Sequence, residues 1–354
     1  MKNKNIAGRL KKLLPALCFA VAALLLLFFA QALLVPKYMS EPYEGGMPRE
    51  YYSSPKKHDV VFLGDCEFYE SINPVVLWNS YGINSYVRGS SQQLIWDSYY
   101  YLLETLEYEK PGTVVFNAVE MKIGTVQKEE YTRLTLDGLK LSKYKLAAAK
   151  LSIEMNPDGN ESLISYIFPI LRYHSRWSDI SEEDFKYLFS RDEITYAGYF
   201  LKTGTQARSE TNVRGGLPTK FPDICWEYLD KIVDLCKERD IEIIIYKSPT
   251  DTRHYPWYDE WDEELENYSS GKGIMYISSV SDPEGTGIDW NTDTCDGGDH
   301  LNYSGAEKVS LYLGRILSEK SGVPDRRGDE ELDAYWEALT ERYNAALAAA
   351  DAGE

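Results

Sequence analysis

The chain has 354 residues, of which 44% are hydrophobic, 27% charged and 13% aromatic, a composition that excludes a disordered or low-complexity protein and allows one large core or a core with an insertion. Its formal net charge of −18, with no compensating basic patch, excludes a nucleic-acid partner, because a phosphate backbone is held by clustered Lys and Arg. Cys18, Cys66, Cys225, Cys236 and Cys295 have neither CxxC spacing nor paired His ligands, so neither a metal, nor a cofactor, nor a disulfide framework is expected.

Residues 1–12 carry Lys2, Lys4, Arg9, Lys11 and Lys12 and precede the apolar run LLPALCFAVAALLLLFFAQALLV (13–35). A bilayer-spanning helix needs about 20 apolar residues, and a basic flank stays cytoplasmic, so the run predicts a single-pass anchor with the rest of the chain outside the cytoplasm. The competing reading is a cleaved signal peptide, since Ala30-Gln31-Ala32 has the small-x-small form of a cleavage site. The run is longer than a typical signal core and continues past that site. Residues 36–58, polar and containing Pro and Gly, predict a stalk.

A domain over 59–324 follows. Strands are predicted at 59–64, 84–88 and 113–117, with a helix over 94–108, and later a helix over 226–238 feeding strands at 241–246 and 275–277. Such alternation implies a three-layer α/β/α arrangement, a parallel sheet with helices on both faces and ligands at the carboxyl ends of the strands. Residues 122–221 break the rhythm and are read as a mainly helical insertion, a candidate lid or substrate wall. The chain closes in helices, with 325–354 rich in Ala, Glu and Leu.

Cys66 stands at the junction of the first strand with a following helix, where backbone N–H groups favour a thiolate, while Asp65 and Glu67 oppose it by like charge. The plainer reading of Cys66 is a small buried residue at a turn. His300 lies in the Gly-rich loop DGGDHLN (296–302), a place for function rather than packing. A histidine there can take a proton from a nucleophile if a carboxylate orients its ring. Asp296 is the preferred acid, with Asp299 and Asp293 as alternatives. Arg172, His174 and Arg176 in FPILRYHSRW (168–177) are candidate contacts for an anionic substrate group, against simple salt bridging within an acidic protein. Tyr99-Tyr100-Tyr101 and the run 255–258 are candidate glycan-stacking surfaces, against ordinary core packing.

FLGDCEFYESINP (62–74), the glycine of VRGSSQQ (87–93), the Asn ending VVFN (114–117) and DGGDHLNYSGAEK (296–308), in that order, resemble the signature segments of SGNH/GDSL-type hydrolases. The resemblance implies a flavodoxin-like sheet, a nucleophile at Cys66, oxyanion donors at Gly89 and Asn117, and a base at His300. More narrowly, an exported, anchored chain of this kind is similar to the proteins of D-alanyl-lipoteichoic acid biosynthesis and of alginate acetylation. That implies a cell-envelope polysaccharide substrate and a membrane-bound acyl-transfer partner. Two departures are Cys in place of Ser, and an acid four residues rather than three before His300, where Gly297 stands instead. A thiolate can attack an ester through a thioester. The other function class that these departures leave open is a catalytically inactive binding or assembly component of an envelope-modifying complex.

Overall fold

The computed structural model describes residues 2–36, 46–156, 159–189, 193–208, 220–251 and 258–353. The chain divides into two compact units, one formed by 1–37 with 161–192 and the other by 38–160 with 193–354.

In the first unit the helix Lys2–Leu34 contains the stretch Leu13–Leu34, long and apolar enough to cross a membrane. Against it pack the short helix Ile170–Tyr173, the 3₁₀ turn His174–Ser178 and the helix Glu182–Lys186.

The second unit is built on five parallel strands, β1 (Val60–Gly64), β2 (Ser85–Gly89), β3 (Thr113–Asn117), β4 (Glu242–Lys247) and β5 (Met275–Ser278), in the order β2-β1-β3-β4-β5. All four pairings are parallel, as the strand–helix alternation predicts. The first three strands are buried at every residue, which explains why β1 and most of β3 read as apolar runs rather than alternating ones. On one face Phe62, Val115 and Ile244 share a core with Leu77 of the helix Pro74–Tyr81 and with Val309 and Leu313 of the helix Tyr303–Lys320. The helix Ile95–Tyr108 packs on β1 and the helix Asp223–Glu238 on β4, each also touching the other. The order reverses between β1 and β3, and it is at such a switch point, outside the carboxyl ends of the strands, that open α/β sheets form their crevice.

Two boundaries differ from the expectation. Residues 37–45 of the expected stalk lie outside the described residues, but from Gly46 onward the segment belongs to the domain. It forms a helix Gly46–Glu50 and a turn Tyr51–Ser53, Tyr51 is fully buried, and Glu50 accepts hydrogen bonds from the backbones of Ile194 (2.7 Å) and Thr195 (3.0 Å). Buried aromatic area outweighs a polar composition here. The expected insertion 122–221 is shared between the units, since 161–192 groups with the N-terminal helix and the remainder with the sheet. The C-terminal helix Glu330–Asp351 is fastened to a second cluster, which also holds Tyr51 and Tyr86, by Trp336, stacked on Trp78 at 5.4 Å and donating to Asn84 at 3.0 Å.

Candidate active site

β1 ends at Gly64 because a side chain there has no room: a Cβ would stand 2.7 Å from that of Asn117 and 2.8 Å from the Phe68 ring. The strand turns at Asp65, whose carboxylate accepts from the Glu67 N–H (3.0 Å) and so caps the four-residue helix Cys66–Tyr69. The same Asp65 oxygen accepts from the Asn117 amide at 3.0 Å. Asn117 is fully buried, and its own oxygen accepts from the Val119 N–H at 3.2 Å. Gly89 pairs in register with Gly64 at the ends of β2 and β1. A Cβ on Gly89 would lie 2.5 Å from the Gly64 carbonyl oxygen.

His300 is held from two directions by one carboxylate. Asp296 accepts from the His300 backbone N–H at 2.8 Å and meets the ring at Nδ1 at 2.5 Å. The extra residue between acid and histidine is absorbed by Gly297 and Gly298, at φ +88° and +112°, a region closed to most side chains. The loop thereby folds back on Asp296 despite the four-residue spacing. Of the alternative acids, Asp293 is occupied elsewhere, by Lys308 at 2.6 Å and Ser304 at 2.9 Å. Asp299 joins the loop through its backbone N–H, 3.1 Å from Asp296.

Cys66 and His300 are neighbours whose charges act on each other, and both line an open cleft of about 870 Å³ together with Tyr69, Glu70, Lys202 and Asp296. With Nδ1 given to Asp296, Nε2 is the ring nitrogen available to the sulfur. Burial, followed by the Asp65 charge, pushes the Cys66 thiol up, and His300 pulls it part of the way back. A four-residue helix contributes too little dipole to reverse this, so the expected thiolate stabilisation at a helix start is not the governing effect. Burial opposes the charge on His300, yet the Cys66 sulfur, Asp296 and Glu70 together raise its pKa well above the usual 6.5. The other acidic neighbour is neutralised: Glu67 accepts from Lys247 at 2.7 Å, with Lys122 at 3.9 Å, and despite burial these cations keep it below the usual carboxylate range.

Two residues of this cleft escape the sequence reading. Glu70 is buried, 3.9 Å from His300 Nδ1 and 3.7 Å from the Lys202 ammonium, and burial raises its pKa. A signal for it existed, because Glu70 follows Cys66 by four residues, one helical turn. Lys202 sits in a segment without periodic pattern and offered none. Cys295 also lines the cleft, its thiol pushed up to about 12 by burial and by Asp296.

Arg172, His174 and Arg176 lie in the first unit and not in the unit that carries Cys66. Arg176 donates to the Leu34 carbonyl at 2.7 Å and to Asp184 at 3.3 Å, and His174 Nδ1 stands 3.0 Å from the Leu171 carbonyl. Arg172 lies over the Tyr173 ring. Of the expected glycan-stacking tyrosines, Tyr101 is wholly buried beneath Arg88, while Tyr99 and Tyr100 pack on Tyr228. Residues 255–257 lie outside the described residues, and Tyr258 is buried and bonded to Asp262 at 3.0 Å.

No family model matches the chain, and no curated protein matches it. Among solved structures it is similar to a candidate acylhydrolase from Bacteroides fragilis NCTC 9343, at 12% identity and a TM-score of 0.38 over 77% of this chain and 94% of that one. A candidate lipolytic protein of the G-D-S-L family from Desulfitobacterium hafniense DCB-2 is similar at 13% identity and a TM-score of 0.37, over 73% of this chain and 98% of that one. A GDSL-like lipase from Bacteroides thetaiotaomicron VPI-5482 gives 12% identity and a TM-score of 0.36, over 76% and 94%. The α/β fold with its five-stranded parallel sheet in the order 2-1-3-4-5 stands on the strand pairings themselves.

Proposed function

We propose that the protein is an acyl-ester hydrolase or acyltransferase that works through a thioester on Cys66. The observation that carries the reading is that Cys66, His300 and Asp296 line one cleft at the carboxyl ends of the strands, with the His300 ring hydrogen-bonded to Asp296. In the first half-reaction the sulfur attacks the ester carbonyl carbon and its proton passes to His300. The carbon–oxygen bond then breaks, and the alcohol leaves with that proton. In the second half-reaction water or an acceptor hydroxyl attacks the thioester, giving a free acid or a new ester and returning the thiol. Asp296 orients the ring and stabilises its charge. The donors to the developing oxyanion in this reading are the Gly89 N–H and the second N–H of the Asn117 amide, the first being committed to Asp65.

The apolar N-terminal helix supports a membrane-anchored protein with its bulk outside the cytoplasm. The resemblance to envelope acyl-transfer proteins supports a cell-envelope glycan or teichoic-acid-like polymer as acceptor or substrate, and a membrane-bound acyl donor as partner.

A second reading, an inactive binding or assembly component, is favoured by one observation: the Cys66 thiol is pushed up by burial and by Asp65. A thiol-directed activated-ester probe on the purified full chain separates the two. In the enzymatic reading mass spectrometry finds acylation at Cys66, lost in Cys66→Ala and slowed in His300→Gln, and Cys66→Ala abolishes acyl release while Cys66→Ser keeps a residue of it. Equal labelling with and without His300, and unchanged acyl release in Cys66→Ala, would put the binding component in its place.

A further inference from the structure

Outside the N-terminal helix, nine large hydrophobic residues are exposed among the described residues, and six of them fall within 161–189: Ile164, Phe168, Leu171, Trp177, Phe185 and Phe189. Trp177 is 73% and Phe189 87% exposed. A water-soluble surface rarely gathers so much apolar area into so short a segment, and where it does the area marks an interaction site.

What covers it is indicated by where the segment sits within its own unit. Ile167 and Phe168 lie in a groove with Leu24, Leu25, Phe28 and Gln31 of the apolar helix. Arg176 donates to the Leu34 carbonyl at the helix end, 2.7 Å away. A helix rises about 1.5 Å per residue, so Phe28 lies roughly 9 Å and Leu24 roughly 15 Å back from Leu34. The second distance is about half the ~30 Å hydrocarbon thickness of a bilayer. A segment fixed beside those residues is therefore at acyl-chain depth whenever the helix spans a membrane.

We propose that residues 161–189 are a second membrane element, a non-spanning helical segment embedded in the leaflet where the helix Lys2–Leu34 ends. The inference rests on the reading of Leu13–Leu34 as a membrane span. The segment has the features such a position demands. Its backbone is folded into short helices, Leu163–Ile167, Ile170–Tyr173 and Glu182–Lys186, and the break between the first two falls at Pro169, which has no N–H to leave unsatisfied. The Arg176 guanidinium, at the level of Leu34 where the helix ends, is paired with Asp184 at 3.3 Å, and the exposed charges Asp179, Glu182, Glu183 and Lys186 all fall in the half of the segment that follows it, on the headgroup side. Trp177 stands three residues before Ile180 in the more polar half of the segment, and tryptophan prefers the interface between acyl chains and headgroups. The occupant of the surface is thus lipid rather than another protein.

The full chain is reconstituted into phosphatidylcholine vesicles, with the acyl chains either plain or brominated, and two quantities are read. Resistance to extraction at alkaline pH tests the span. Bromine quenching of tryptophan fluorescence tests the segment, because residues 13–35 contain no tryptophan, Trp78, Trp96, Trp261 and Trp336 are buried, and Trp226, Trp257 and Trp290 belong to the other unit and are common to both forms compared. The expected result is a protein retained in the vesicles whose quenching falls by more than half in Trp177→Phe. A retained protein with no quenching, or with equal quenching in both forms, overturns the proposal and leaves a protein partner over this face. Release into the alkaline wash overturns it as well, by removing the span that the segment adjoins.

Discussion

Two histidines stand at opposite ends of the same parallel sheet, each with Nδ1 against a carboxylate, and only one of them has the surroundings of a catalytic group. His300, beyond the carboxyl ends, meets Asp296 at 2.5 Å, reaches Cys66 on its other side and borders the cleft. His58, two residues before β1, meets Glu109 at 2.9 Å and 3.0 Å, and Tyr51 donates to the same Glu109 at 2.6 Å. Its ring is boxed by Tyr51 and Tyr86, and its Nε2 is buried with no partner. A histidine–carboxylate pair is thus not in itself a site. A neighbouring Cys66, the opening and the end of the sheet distinguish the first pair and favour the proposed role, and the second pair is a fastening between the 46–58 segment and the end of the helix Ile95–Tyr108.

The comparison breaks most sharply under paired substitution. His300→Ala is expected to lower turnover by on the order of 10⁴-fold or more, with a small change in melting temperature. His58→Ala is expected to cost about 3 kcal/mol of stability, because it leaves Glu109 buried without its ring partner, and to leave turnover per folded molecule unchanged. Steady-state acyl release alongside thermal denaturation reads both, and a loss of turnover without loss of stability in His58→Ala would contradict the distinction.

Asp296→Asn sharpens it. Burial raises the Cys66 thiol and the Asp296 charge raises His300, so the pair gives up its proton at higher pH than a free histidine would. Turnover therefore rises with pH along a limb set above the usual 6.5 of a histidine. Removing the Asp296 charge lowers the His300 pKa, so the limb moves to lower pH while the plateau falls by about 10³-fold to 10⁴-fold. The linked stability follows the same sign. A raised histidine pKa contributes stability that is complete below the unfolded value and is lost as pH climbs through the folded one, so the deficit of Asp296→Asn shrinks toward alkaline pH. A limb that stays in place would show that Asp296 does not govern the ring.

Glu70→Gln is the smallest of these effects. At 3.9 Å from Nδ1, and as one of several groups raising His300, Glu70 is a positioning residue. Its loss should move the same limb in the same direction by less than Asp296→Asn does, with a turnover change under about tenfold, the equivalent of one pKa unit. A shift in the opposite direction would mean that Glu70 acts on Lys202 rather than on the histidine.

Much of this was legible before any coordinates. Three of the five strands are marked by runs ending at Gly64, Gly89 and Asn117, of which β1 and β3 are largely apolar because a strand buried on both faces carries its signature in composition alone. Cys66, His300 and Asp296 could be found because each lies beside a turn signal. What stayed hidden was hidden for physical reasons. Tyr51 makes a polar segment part of the core through a single buried ring. Residues 161–189 read as part of a lid because sequence spacing carries no information about which helix a segment will pack against. Lys202 reaches the cleft from a stretch whose path follows no period.

The pairing of Gly64 with Gly89 has one more implication. The Gly64 carbonyl, the Asn117 side chain and the turn into Cys66 are gauged against each other by the absence of two methyl groups, since a Cβ at either glycine would stand within 3 Å of its neighbours. A methyl at either place would wedge β1 from β2 or from β3, and Cys66 would travel with the displaced strand. The reach between Cys66 and the amide that is to face its substrate is in this sense written by what these two positions lack, and an engineer seeking to widen the cleft gains more freedom at Tyr131 or Lys202 than at the strand ends.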